Sequence, residues 1–120
     1  VTLSILASDG VLVEGEEQPV LMVIRRHTLT RQEIDRLYGE WADCDELSDR
    51  CLELERRLNA ATDAEQLARS EFLHHPATTL EDVALKVKHV RFLLSDGDEA
   101  LDRHELDALL QSLALRRKKR

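Results

Sequence analysis

The chain has very few aromatic residues: one Trp, one Tyr and two Phe, 3% of 120 residues. It is also short of glycine (4), proline (2) and cysteine (2). Each shortage excludes something. So little Gly and Pro beside 42% apolar residues is not the composition of a disordered or collagen-like chain. Two cysteines cannot build a disulfide-rich scaffold. No run approaches the roughly 18 apolar residues of a membrane span. A formal charge of −7, from 24 acidic and 17 basic side chains, argues against a general nucleic-acid coat. What remains is one domain's length of chain, and no activity is named by it.

Leucine is abundant. There are 22 Leu and 11 Ala against 8 Val and 3 Ile. Leu and Ala favour helix, whereas β-branched residues lose rotamer freedom there. The expected fold is therefore mainly α. With so few aromatics the core must be made of Leu contacts along helix seams, and a partner is expected to complete it. Charge is unevenly spread: −2 over residues 1–30, −6 over 31–75, −4 over 76–115 and +5 over 116–120. An acidic body ends in a basic tail.

The pattern divides the chain into residues 1–26, 27–115 and 116–120. In the first part, Thr2 to Ala7 alternates loosely, Asp9-Gly10 is a hairpin turn signal, and Val20 to Ile24 reads as a short strand. A small N-terminal β-hairpin packed on the helices is expected. The alternative is that residues 1–21 are an upstream extension without a fold, Met22 being the only methionine. Residues 1–7 lack the basic start of a secretory signal, so the cytoplasm is the expected compartment, with reduced thiols.

The helical part predicts about four helices. Thr30-Arg-Gln-Glu33 is a capping box. After it, Ile34, Leu37, Trp41, Cys44, Leu47, Cys51, Leu54, Leu58 and Ala61 recur at steps of three and four, a nearly heptad seam interrupted only by Gly39. A long helix over about 31–60 follows, with a break near Asn59–Thr62 before a second box, Thr62-Asp-Ala-Glu65, or else a single bent helix. Thr78-Thr79-Leu80-Glu81 opens a third helix, and Asp98 is the expected cap of the last.

The candidate chemistry is thin. Cys44 and Cys51 lie seven apart, on one helical face but about 10 Å distant, beyond disulfide reach. They read as small seam residues or, in an oxidising setting, as a cross-chain pair. Glu71-Phe-Leu-His74 is one ExxH motif, but a di-iron bundle needs two, and Lys86 and Leu101 stand where His89 and His104 would need carboxylates. Asp96, Asp98 and Glu105 resemble part of an EF-hand loop, yet Leu94 and Glu99 occupy the positions of the first ligand and the turn glycine. No P-loop, GxGxxG or GxSxG occurs. The reading is a non-enzyme without cofactor or metal.

From His75 the chain runs HPATTLEDVALKVKHVRF. Pro76, Thr78, Thr79, Leu80 and Lys86 resemble a P-x-T-T-L turn and short helix of uncharacterised small helical proteins from alphaproteobacterial genomes and their prophages. Tyr38 to Leu47, with Trp41, Cys44 and Asp45, is similar as well. Asp82 stands where that pattern has Gly. The resemblance covers about residues 31–115 and implies a helical fold and a bacterial or phage setting, with no site.

Two functional expectations follow. The first is a protein-interaction or regulatory module, as a homodimer or with another protein, through Ile34, Leu37, Trp41, Leu47, Leu54 and Leu58, with Trp41 as anchor and the acidic body facing a basic surface. The second is weak, salt-sensitive phosphate contact by Arg116, Arg117, Lys118, Lys119 and Arg120, with no aromatics interleaved for stacking on bases.

Overall fold

The computed structural model describes residues 18–45, 47–95 and 100–115. Four helices follow one another: α1 (Pro19–Ala42), α2 (Asp49–His74), α3 (Leu80–Ser95) and α4 (Arg103–Leu113). Among the described residues there is no strand. No described helix is long and apolar enough to cross a membrane.

Helix α1 begins earlier than its sequence suggests. Pro19 occupies the first turn, where its fixed φ suits a helix and its missing N–H costs nothing. Val20, Val23 and His27 then fall on one buried face. The run Val20 to Ile24, read as a strand, is thus the opening of α1; its spacing of three and four outweighs its β-branched residues. The hairpin expected over residues 2–13 lies outside the described residues, as do Asp98 and the tail 116–120.

Thr30 does not cap a helix. It lies within α1, where its hydroxyl donates to the His27 carbonyl at 2.7 Å, as Thr28 does to Ile24 at 2.9 Å. The long helix expected over 31–60 is two helices. α1 stops at Ala42 and the chain reverses before Ser48. The Ser48 hydroxyl accepts the Cys51 N–H at 3.0 Å and donates to the Asp45 carbonyl at 2.6 Å, so one side chain closes the turn and starts α2. No break occurs at 59–62: α2 runs unbroken to His74. The seam is therefore folded on itself. Leu37, Cys51 and Leu54 are buried where α1 and α2 pack, and Glu40–Arg50 (2.9 Å) and Trp41–Glu55 (3.3 Å) bridge the two helices.

The box at the start of α3 is shifted by one residue. Thr79 accepts the Asp82 N–H, and the Asp82 carboxylate accepts the N–H and hydroxyl of Thr78, each at 3.0 Å. Asp82, not Glu81, is the reciprocal partner. Helix α4 carries a full capping box from Asp102 and Glu105.

α3 lies parallel to α1: Gln18 bonds Glu81 and His27 meets His89. α4 lies parallel to α2: Arg69 pairs with Glu105, and the Ala77 N–H donates to Ser112 at 2.8 Å. At 1.5 Å per residue, Ser95 comes level with about residue 33 of α1. The apolar cluster of Val23, Phe72, Leu73, Val90 and Leu109 sits where the four helices meet. Among the described residues, the rest of the hairpin, from about residue 34 to about residue 60, projects as two helices without a third packed on them.

Gly39 lies exposed on this projection, and a methyl group there meets nothing within 4 Å. Gly39→Ala is expected to stabilise the chain by about 1 kcal/mol, read as a rise of about 4 °C in melting temperature. An unchanged or lower melting temperature would contradict the helical assignment there.

Candidate functional site

The residues expected to form a partner interface are scattered. Leu37 and Leu54 are buried within the chain, at 2% and 1% exposure. Ile34, Trp41 and Leu58 are half-buried. Only Leu47 is open, at 90% exposure in the α1–α2 turn. Cys51 is buried and Cys44 half-buried, its thiol donating to the Trp41 carbonyl at 3.1 Å. The ExxH pair is engaged elsewhere: Glu71 pairs with Arg26 at 2.6 Å, and His74 faces the Ser70 carbonyl of its own helix at 2.9 Å.

What the helices do bring together is a chain of polar side chains inside the core. α1 contributes His27, α2 Glu65 and α3 His89. His27 Nε2 lies 2.7 Å from Glu65 Oε2, and His27 Nδ1 lies 3.0 Å from His89 Nε2. His27 is wholly buried and His89 6% exposed. The Phe72 ring packs edge-on to His89 at 4.7 Å and stacks near His27 at 6.3 Å.

Elementary chemistry orders the protons. An ionised carboxylate only accepts, so His27 Nε2 must carry the hydrogen. The Nδ1 of neutral His27 is then bare and accepts from His89 Nε2–H. The chain runs one way, from His89 through His27 to Glu65. Burial lowers both imidazoles below their usual range. His89 is brought to about 4, with His27 and Arg31 adding to the effect. His27 is lowered less simply, because Glu65 opposes the burial. Both rings are neutral near pH 7.

A second buried group stands against Phe72. Lys86 is fully buried, and its ammonium donates to the carbonyls of His75 (2.5 Å), Phe72 (2.7 Å) and Leu73 (3.4 Å). These carbonyls belong to the end of α2, where helix carbonyls lack internal partners and the dipole is negative. The ammonium also lies 5.0 Å from the Phe72 ring centroid. Burial pulls Lys86 down to about 8, opposed by Asp82, which leaves it charged at neutral pH. Asp82 is itself held below the usual carboxylate range, chiefly by the Thr78 N–H.

Beside these, an open groove of about 830 Å³ separates α2 from α4, lined in part by Glu65, Arg69, His74, His104 and Glu105. Glu65 is thus the point where the histidine chain approaches solvent. Among the described residues, no three His, Cys, Asp or Glu side chains converge as a metal site would require. The arrangement can hold and pass a proton among three helices.

His27, Glu65 and His89 escape a motif search because they come from three helices and share no local spacing. A signal was nevertheless present. His27 continues the Val20–Val23 face, and Lys86 and His89 fall in register with the buried Val90 and Leu93 of α3. Polar residues in an apolar stripe mark buried partners. No family model matches the chain, and no curated protein or solved structure matches it either.

Lys86→Met keeps the apolar stem and removes the donors. Leaving the buried carbonyls unmet should cost about 2–3 kcal/mol, measured by urea unfolding at pH 7. A loss below about 0.5 kcal/mol would contradict the role given to the ammonium.

Proposed function

We propose that the chain is a non-catalytic protein-interaction module that engages its partner with the projecting end of the α1–α2 hairpin. The observation that carries this reading is Leu47, 90% exposed at the turn. Leu52 and Tyr38, on the flanking helices, are more than half exposed. Large apolar side chains at the end of a projection lower the free energy only when something covers them. Their surroundings are acidic: Asp43, Asp45, Asp49, Glu53 and Glu55 outnumber Arg50 and Arg56. An apolar centre with an acidic rim suits a partner with an apolar pocket and a basic rim. The same charge disfavours a second copy as the occupant. Leu37 and Leu54, buried between α1 and α2, hold the two helices together.

The test uses the full chain carrying Leu47→Asp and Leu52→Asp. Both residues are exposed, so the melting temperature should be unchanged. Wild-type chain immobilised at low salt should retain one specific protein from the native host, less of it as salt rises. The double variant should retain at least tenfold less of that protein. Equal retention by both chains would overturn the reading. So would a stable homodimer of the wild type in light scattering at micromolar concentration, one that the double variant leaves intact.

A further inference from the structure

We propose that the Glu65–His27–His89 chain is an acid-operated latch that fastens α3 to the α1–α2 hairpin and releases it when a second proton enters.

One residue comes from each of three helices, and the two rings meet nitrogen to nitrogen at 3.0 Å in a buried site. Such a contact holds only if one hydrogen lies between the two nitrogens. A first extra proton can be accommodated. It adds to His89 Nδ1, or it rests on His27 beside Glu65 while His89 switches to its Nδ1–H form. In either case a single hydrogen still bridges the rings. A second proton cannot be accommodated. Both imidazoles are then cations, and two N–H groups point at each other across 3.0 Å. The contact that joined α1 to α3 becomes a clash of donors and of charge.

The surroundings make that state worse. On α1, Arg31 acts on both rings. On α2, Glu65 is the carboxylate bonded to the pair, and Arg69 adds positive potential while it pairs with Glu105 of α4 and with the Ala100 carbonyl. On α3, the Lys86 ammonium stands against the Phe72 ring that also packs on His89. One carboxylate cannot balance two imidazolium ions among these cations. Moving His89 into water relieves the conflict, and His89 can reach water only if α3 moves.

The direction with pH follows from linkage. Both rings bind protons less readily in the closed state than in water, His89 only at about 4 against an ordinary 6.5. The open state therefore takes up more protons between those values, and the closed state loses stability as pH falls through that window. The α1–α2 projection contains neither histidine. Its packing around Leu37, Cys51 and Leu54 stays closed while α3 opens.

The test is amide hydrogen exchange of the full chain by mass spectrometry from pH 7.5 to 4.5, corrected for the intrinsic rate at each pH. Peptides from residues 80–95 should lose at least tenfold protection below about pH 5, while those from 34–58 keep theirs. In His89→Gln, whose amide can still donate to His27 but does not titrate, the acid-induced loss of α3 protection should shrink at least severalfold, leaving only the part due to His27. Protection of α3 that persists to pH 4.5 in the wild type would overturn the proposal. Equal loss in all four helices would overturn it as well, and so would the same acid response in His89→Gln.

Discussion

A polar side chain removed from water must find partners inside the protein, and this fold depends on how that requirement is met. With one Trp, one Tyr and two Phe in 120 residues, the chain has few aromatic side chains for its core. Beside its Leu, Val and Ala core residues it buries His27, His89, Lys86 and Asp82. Left unpaired, any of these groups would cost several kcal/mol. Each is answered by an element that the fold must therefore bring near. The end of α2 supplies carbonyls for Lys86, Thr78 and Thr79 supply donors for Asp82, and Glu65 terminates the chain of imidazoles.

These polar contacts tie together what apolar burial alone would leave loosely specified. The cluster of Val23, Phe72, Leu73, Val90 and Leu109 is small, and apolar contact has no direction. Hydrogen bonds have direction. Lys86 fixes the height of α3 against the last turn of α2, and His89 fixes its rotation towards α1. The molecule thus has two parts with different physics. One is a four-helix junction in which polar bonds set the register. The other is a two-helix projection held by Leu37, Cys51 and Leu54 and by bridges such as Glu40–Arg50.

The helical class was legible because Leu and Ala dominate and the steps of three and four are long-lived. The seam from Ile34 to Ala61 was legible as a buried stripe, but not that it folds back on itself. A turn of few residues does not disturb a heptad-like count, and only Ser48, followed by an acidic first turn, marks it. Val20 to Ile24 misled because β-branched residues favour strands on average, whereas Pro19 and the spacing to His27 favour a helix at this place. The polar junction was hidden for a different reason. Its members stand far apart in sequence, and a histidine or lysine in an apolar stripe reveals burial without naming its partner. Leu47 looked like one more seam position because a periodic pattern cannot tell a helix interior from its turn.

Two neutral imidazoles, ordered by one carboxylate, join three helices. Long-range proton–nitrogen NMR of the imidazole rings at pH 7 tests it directly. His27 and His89 should both be neutral and both carry their hydrogen on Nε2. A ring that is charged at pH 7, or a His27 protonated on Nδ1 alone, would contradict the account.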